Sequence, residues 1–288
     1  MARMRTVWLN GEFVAADAAR ISIFDRGLLF GQAVYEVAPV VGGRIANWPR
    51  HAARLADSLE TAMIADATDW PPILAELIAR NALDEGRVYL QVTGGSQGDR
   101  DFAQPQPMPP PNRFAFTQSA DMLADPRAES GLSVILRPDL RWGLRAAKTT
   151  QLLYALRMKE EARIAGADDV WMIENGMITE ATSQNAHIVD ARGVLVTHPV
   201  QRRAAPGGVL PGITRMSVID IAAAQGIAIE ERAFSPEELF AAHEAFVSAA
   251  GSLVLPVTRV DGRAIGDGRP GPITRTLRTR YIEALRGG

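Results

Sequence analysis

The stretch Leu144-Arg-Ala-Ala-Lys-Thr-Thr-Gln-Leu-Leu-Tyr154 contains one of the two lysines of this chain. Lysine occurs only at Lys148 and Lys159, so 29 of the 31 basic residues are arginines. Arginine keeps its proton in proteins, whereas a desolvated lysine can lose it and become a nucleophile. Lys159 lies in a run typical of a solvated helix face with i,i+4 charge pairs. Lys148 is predicted just before that helix. From this stretch alone, Lys148 is either a nucleophile or an ordinary surface lysine.

The composition describes an ordinary globular protein. The 288 residues allow one large domain or two modest ones, and 47% apolar and 22% charged residues are typical of a soluble chain. A net charge of −2 indicates neither a nucleic-acid nor a membrane partner. The absence of cysteine excludes disulfides, iron–sulfur ligation and cysteine nucleophiles, and it fits a reducing compartment.

Targeting and membrane segments are not predicted. The first ten residues contain no apolar run of the kind that a secretory signal needs, and no stretch approaches the roughly 20 apolar residues that span a bilayer. We therefore expect a soluble, cytoplasmic protein.

The first part of the chain predicts a small α/β domain. Residues 6–14 read as a hairpin with Asn10-Gly11 as its turn, and residues 35–48 as a second hairpin that turns at Gly42-Gly43. Two helices are predicted at 49–64 and 71–83, and strands at 87–93 and 113–117.

The second part predicts a larger α+β domain. A polar stretch that contains Pro126 separates the two parts, so the predicted domains are residues 1–119 and 131–288, with a linker at 120–130. Strands at 131–137, 169–174, 177–182, 186–189, 194–197, 227–230, 245–248 and 253–260 mostly meet through hairpins. Helices are predicted at about 150–166, 213–224, 236–243 and 274–285.

Gly94-Gly-Ser-Gln-Gly98 matches the short G-x-S-x-G pattern of serine hydrolases. In those enzymes a helix follows the serine. Here the chain continues into a proline-rich segment at 105–111, which favours a glycine-rich loop. If the protein binds no cofactor, a serine hydrolase with Ser96 as its nucleophile is the remaining hypothesis.

Gly207-Gly-Val-Leu-Pro-Gly-Ile-Thr-Arg215 predicts a phosphate site at a helix start. The amides of Ile213 and Thr214 would point out of the first turn, where the helix dipole favours an anion. A capped helix with Gly-Pro punctuation explains the same residues without a ligand. The loop lacks the G-x-x-x-x-G-K-[ST] pattern, so an NTPase P-loop is excluded.

Glu180 and Arg54 are charges in apolar surroundings. Glu180 lies on a predicted strand within Met177-Ile-Thr-Glu-Ala-Thr-Ser-Gln-Asn185, and a buried acid needs a cationic partner. Both residues could instead have no role in a functional site. Glu180 would then form a structural ion pair, and Arg54 would be a solvated charge on a helix.

Four motifs together resemble one enzyme family. They are Asp25-Arg-Gly-Leu-Leu-Phe-Gly-Gln-Ala-Val-Tyr-Glu36, Lys148-Thr-Thr-Gln-Leu-Leu, Glu180-Ala-Thr-Ser-Gln-Asn and Leu210-Pro-Gly-Ile-Thr-Arg. In this order they resemble the fold-type IV enzymes that depend on pyridoxal 5′-phosphate (PLP). That family contains the D-amino acid, branched-chain and (R)-amine aminotransferases and aminodeoxychorismate lyase. Tyr35-Glu-Val37 is most similar to the D-amino acid aminotransferases.

The resemblance implies a fold and a set of site residues. The fold is a small α/β N-terminal domain and a larger, barrel-like C-terminal domain, with PLP in the cleft between them and a homodimer as the assembly. Lys148 would bind PLP covalently and move the substrate proton, and Glu180 would pair with the ring nitrogen. Arg54 and the Ile213 and Thr214 amides would hold the phosphate, Asn185 would support Glu180, and Tyr35 would lie beside the substrate carboxylate.

Departures from the family pattern surround the substrate and phosphate. The D-amino acid enzymes use an Arg-x-His pair on the loop that here reads Gly98-Asp-Arg-Asp-Phe102, so Arg100, or else Arg26, would bind the carboxylate. The phosphate-side turn is Ser248-Ala-Ala-Gly-Ser252, so backbone amides such as that of Ala250 would act where hydroxyls often do. We expect transamination of D-alanine or D-glutamate with a 2-oxo acid and no metal; the alternatives are a branched-chain L-amino acid or (R)-amine transaminase and a PLP lyase.

Overall fold

A computed structural model describes residues 5–200 and 207–287, and these divide into two units. The first unit contains the chain up to Asp121 together with Ala147–Gln151, and the second contains Met122–Ala146 and the chain from Leu152 onward. The first four residues lie outside the described part. They belong to the ten-residue segment in which no secretory signal was predicted. No helix in the described ranges has both the length and the apolar character to cross a membrane.

The first unit is a six-stranded antiparallel sheet with helices. The strands lie in the order β2-β1-β6-β5-β3-β4. They are β1 Thr6–Leu9, β2 Glu12–Ala15, β3 Ala33–Val41, β4 Arg44–Ile45, β5 Gly86–Thr93 and β6 Arg113–Ser119; the helices are α1 Arg26–Phe30, α2 Trp48–Thr61 and α3 Trp70–Asn81.

Both predicted hairpins of this unit are confirmed. Asn10 and Gly11 take positive φ angles of 49° and 105°. A two-residue turn needs such angles if its twist is to match that of the strands β1 and β2. Strand β3 alternates, so that Val34, Ala38 and Val40 pack in an apolar cluster with side chains of α2 and α3.

The second unit contains a closed ring of six strands. Strands β9, β8, β7, β14, β13 and β10 pair in that order, and β10 pairs with β9 again. Its strands are β7 Leu132–Pro138, β8 Asp169–Glu174, β9 Met177–Ala181, β10 Asn185–Val189, β11 Leu195–Thr197, β12 Ile229–Glu231, β13 Glu244–Ala249, β14 Leu253–Val260 and β15 Arg263–Ala264; its helices are α4 Arg127–Ser130, α5 Leu153–Ile164, α6 Ile213–Ala224, α7 Pro236–Ala241 and α8 Pro272–Gly287.

The closing contact of this barrel is one residue pair, Glu180 opposite Asn185. Buried apolar side chains from all six strands, among them Val134, Trp171 and Val247, form one cluster that stabilises the closed sheet. The predicted barrel-like α+β domain is confirmed, and closure brings two predicted site residues side by side.

Several details differ from the sequence prediction, among them strand β15, which was not predicted. The short helices α1 and α4 were not predicted, and α4 lies inside the segment 120–130 that was read as a linker. Residues Ala147–Gln151 were assigned to the second domain but group with the first unit. The reason is backbone bonding to β3: Tyr35 N–H donates to the Lys148 carbonyl at 3.0 Å, and Thr150 N–H donates to the Ala33 carbonyl at 3.1 Å.

Candidate active site

Lys148 is held by its backbone and leaves its amine without an acidic partner. Its N–H donates to Ser58 Oγ at 3.0 Å, and its carbonyl is the acceptor for Tyr35. Its Nζ lies 4.3 Å from the centre of the Tyr35 ring, and no carboxylate of the described residues is within salt-bridge distance of it. By contrast, Lys159 Nζ lies 3.1 Å from Asp169. Lys148 is therefore the lysine whose amine is available for chemistry.

Arg54 is a buried charge, not a solvated helix charge. Helix α2 presents His51, Arg54 and Ser58 on its buried face, as their spacing predicts. Arg54 donates to both oxygens of Glu36 at 2.8 and 2.7 Å, and His51 Nδ1 lies 2.8 Å from the same carboxylate. Glu36 was not among the predicted site residues. The alternation of side chains along β3, which puts Glu36 on the opposite face from Tyr35, is the signal that could have pointed to it.

Electrostatics in this cluster keep the acid charged and the imidazole neutral. Burial would raise the pKa of Glu36, but the Arg54 charge and the hydrogen bonds from Arg54 and His51 lower it to about 2. Burial lowers the pKa of His51 and outweighs the opposing effect of Glu36. Arg54 is thus fixed in a bidentate ion pair, on the same helix whose Ser58 holds the Lys148 backbone.

Tyr35 lies on the opposite face of β3 from Glu36. Its ring stacks on Tyr89 at 5.5 Å, and Tyr89 stacks on Phe116 at 4.7 Å. This aromatic row places the Tyr35 ring beside the Lys148 amine and restricts its movement.

Arg26 and Arg100 differ sharply in their surroundings. Arg26 is buried, and its guanidinium donates to Gln32 and Gln97 and to three backbone carbonyls of residues 101–103. Arg100 is exposed, with its guanidinium over the rings of Phe30 and Phe102 at 5.3 and 4.8 Å. Arg26 is committed to holding the 97–103 loop, whereas Arg100 presents its charge on that loop.

Ser96 lacks the surroundings of a hydrolase nucleophile. Its hydroxyl accepts from Asn112 at 3.3 Å, and no helix begins between residues 97 and 112. The expected strand–turn–helix elbow is therefore absent from this described segment.

In the second unit, Glu180 is a buried carboxylate with three donors. Arg141 donates to Oε1 at 2.6 Å, and Asn185 and the Leu210 N–H donate to Oε2 at 3.0 and 3.2 Å. Asn185 also donates to the Leu210 carbonyl at 2.9 Å, so it connects the acid to the loop before α6. Sequence reasoning missed Arg141, which lies in a loop and carries no local pattern that pairs it with Glu180.

The start of α6 has the features of an anion site. Gly212 is its N-cap and no side chain caps it, so the first-turn amides of Ile213 and Thr214 have no side-chain acceptor. The Thr214 hydroxyl is buried and lies 3.3 Å from the Tyr281 hydroxyl.

The turn around Ala250 follows β13. The hydroxyls of Ser248 and Ser252 on either side are bonded to His187 and Gln184 at 2.9 and 2.7 Å. The role of the Ala250 amide stays a prediction.

Comparison with known proteins identifies the family. The family model described as amino-transferase class IV matches residues 33–260. The chain belongs to the class IV aminotransferases. It is 32% identical to a D-alanine aminotransferase of Bacillus licheniformis over 97% of this chain and 96% of that one, and 32% identical to one of Staphylococcus aureus over 98% and 99%.

Solved class IV structures share the fold. A branched-chain aminotransferase of Thermoproteus uzoniensis matches with a TM-score of 0.86 and 25% identity, covering 99% of this chain and 96% of that one. A second branched-chain aminotransferase, solved with pyridoxamine 5′-phosphate, matches with a TM-score of 0.88 and 24% identity, covering 100% and 96%. The predicted family and fold are confirmed, and this class IV chain is a PLP-dependent aminotransferase.

The residues present fit that cofactor. A phosphate needs free amides, which the uncapped start of α6 provides, and a protonated ring nitrogen needs a buried acid, which Glu180 provides. An aldehyde needs an amine outside an ion pair, and among the described residues Lys148 lies beside an aromatic ring with no carboxylate in salt-bridge distance.

Gly212→Ala tests the connection between the helix start and Glu180. A Cβ at this position would lie 2.0 Å from Asn185 Oδ1, so Asn185 must move and its bond to Glu180 is strained. We expect a loss of about 1–3 kcal/mol in unfolding free energy from overpacking, together with weaker PLP binding in a spectral titration. Gly143→Ala is the control, since a Cβ there meets nothing within 4 Å. Equal stability of the two variants would contradict the expectation.

Glu36→Gln tests the buried pair with Arg54. Breaking a buried ion pair leaves an uncompensated charge, so urea unfolding at neutral pH should show a loss of about 3–5 kcal/mol. Because the pKa of Glu36 is lowered from 4.5 to about 2, its contribution is complete above pH 4.5 and disappears as the pH falls toward about 2. The difference between variant and wild type should therefore shrink over that window. Glu76→Gln, which removes an exposed pair with Arg80, should change stability little at any pH.

Proposed function

We propose that this enzyme transfers the amino group of a D-amino acid of the D-alanine or D-glutamate type to a 2-oxo acid. The observation that carries the proposal is the similarity to D-alanine aminotransferases at 31–32% identity over nearly the whole of both chains. The branched-chain enzymes offer weaker support for the L-amino acid alternative, because they match at 22–25% identity and chiefly share the fold.

Lys148 acts on both the cofactor and the substrate proton. When bound, PLP supplies an electron sink for the electron pair left on the substrate α-carbon. The Lys148 amine would take the proton from the substrate α-carbon and later give a proton back, which requires the amine to be neutral in part of the cycle. The Tyr35 ring, 4.3 Å from Nζ, keeps this amine in place without supplying an anion that would hold its proton.

The remaining residues hold the cofactor. Glu180 keeps a proton at the ring nitrogen, and Asn185 fixes one of its oxygens. Arg54 and the amides of Ile213, Thr214 and Ala250 hold the phosphate. Arg54 is already paired with Glu36, so much of the charge that it would offer an anion is neutralised.

The substrate carboxylate is assigned to Arg100, with Tyr35 beside it. Arg26 was the other candidate, but its donors are engaged by the 97–103 loop, so its role is to shape that loop. We also propose a cytoplasmic homodimer, as the family resemblance implies. Exposed Ile23 and Leu28, at 68% and 64% of their full exposure, support an apolar contact surface on the first unit.

Lys148→Ala tests the chemistry. With added PLP, the wild type should show a visible absorption band that D-alanine bleaches and L-leucine does not, and Lys148→Ala should show neither the band nor amino transfer. Lys159→Ala, which removes the other lysine, should keep both. Bleaching by L-leucine alone would favour the branched-chain alternative, and return of the band with release of a 2-oxo acid from a β-substituted amino acid would favour a lyase.

Arg100→Met tests the carboxylate contact. Steady-state kinetics should show KM for D-alanine raised roughly tenfold or more, because a charged hydrogen bond is removed. Transfer from an (R)-amine that has no carboxylate should not change. Arg80→Met is the matched control, since Arg80 also lies exposed over an aromatic ring, that of Phe13. An equal effect on the amine and on D-alanine would contradict the assignment.

A further inference from the structure

Glu180 is paired with a cation before any ligand is considered. Arg141 Nη1 donates to Oε1 at 2.6 Å, and both side chains are largely buried, with 11% and 4% of their side-chain surfaces exposed. A guanidinium bonded to a carboxylate restricts the orientation of the carboxylate oxygens. The structure therefore gives Glu180 a fixed counter-charge of its own.

Arg141 is in turn held by Asp139. The Arg141 Nε and Nη2 donate to the two Asp139 oxygens at 2.9 and 2.6 Å, a bidentate pair that fixes the guanidinium plane. Thr179, next to Glu180 on β9, donates to Asp139 at 2.7 Å, and the Asp139 N–H donates to the Ile173 carbonyl at 2.7 Å. The Arg141 guanidinium is thus fixed on both sides by buried partners.

The charges continue in alternation beyond this pair. Arg145 lies 3.4 Å from Asp139 and is bonded to Glu174. Three acids and two arginines then form one connected group with a single excess negative charge. Arg215 on α6 also acts on Glu180, but it is bonded to Glu231 and to the His198 carbonyl. The excess matches one cationic partner, such as a protonated ring nitrogen.

The pKa values agree in direction with this arrangement. Burial would raise the pKa of Asp139, but Arg141 and Thr179 hold it below its ordinary value. Burial would lower the pKa of Arg141, but Glu180 and Asp139 raise it above its ordinary value. Asp139 and Arg141 therefore remain charged across the range in which enzymes work.

We propose that Arg141, held by Asp139, is a positioning residue that fixes the Glu180 carboxylate in the orientation in which it would pair with a protonated ring nitrogen of the cofactor. This inference rests on the proposed role of Glu180. A ring nitrogen that keeps its proton withdraws electrons more strongly, and a carboxylate held against that nitrogen stabilises the protonated form.

The test is nitrogen-15 NMR of the intact protein loaded with PLP labelled at the ring nitrogen. The wild type should give the chemical shift of a protonated pyridine. In Arg141→Gln the shift should move toward that of an unprotonated, hydrogen-bonded pyridine, and the Kd for PLP should rise roughly tenfold or more. Arg141→Lys should keep the protonated shift, because the charge remains, but should bind PLP more weakly since an ammonium cannot reproduce the bidentate geometry.

Arg145→Gln is the matched control. It removes a buried arginine from the same group and the same Asp139, but it has no bond to Glu180. It should keep the protonated shift even if the protein is less stable in thermal unfolding. An Arg141→Gln shift identical to that of the wild type, or an equal change in Arg145→Gln, would overturn the inference.

Glu180→Gln separates this inference from the proposed function. If Glu180→Gln leaves the nitrogen-15 shift unchanged, Glu180 is not the ring partner, and the proposed role fails together with the inference. If Glu180→Gln changes the shift and Arg141→Gln does not, only the role of Arg141 is wrong. Should Arg141→Gln fail to fold, the Arg141→Lys affinity decides, and a Kd equal to that of the wild type would count against positioning.

Discussion

Closure of the barrel through Glu180 and Asn185 is the constraint on which the second unit depends. The sheet closes where β9 meets β10, and the pair at that point is an acid opposite an amide. An isolated buried carboxylate is costly, so closure requires donors, and Arg141, Asn185 and the Leu210 amide supply them. The Leu210 bond fixes the loop before α6, so the position of the helix start follows from the closing pair. In this unit the contact that completes the sheet therefore also orients the acid.

The first unit also contains charged side chains that need partners, and the two faces of one strand provide them. Strand β3 carries Tyr35 on one face and Glu36 on the other, and each faces a different cation. Glu36 neutralises Arg54 in a buried bidentate pair, while Tyr35 offers Lys148 only the face of a ring. The same two-residue alternation thus gives one cation a buried acidic partner and gives the other only an aromatic ring. This division explains why arginine serves at position 54 and lysine at position 148 in a chain that otherwise almost always uses arginine.

Sequence patterns predicted the local elements well because their causes are local. The Asn10-Gly11 turn, the amphipathic spacing of α2 and the strands of the barrel depend on neighbours in the chain. The family motifs predicted Lys148, Glu180 and Asn185. The partners were missed because they depend on pairing across the fold: Arg141 is 39 residues from Glu180, and Glu36 is 18 from Arg54. The grouping of Ala147–Gln151 with the first unit was missed for the same reason. The backbone bonds of this segment to β3 join residues that are far apart in the chain.

The arginine at position 141 illustrates how a residue far from any motif is specified. Its guanidinium uses Nε and Nη2 for Asp139 and Nη1 for Glu180, so three donors in one plane serve two acids on different sides. An ammonium has no such plane and would have to choose between them. Asp139 adds a second negative charge, without which the pair of Arg141 and Glu180 would carry no net charge. With Asp139, Arg145 and Glu174 included, the group keeps one negative charge, so Glu180 remains both oriented and attractive to a cation.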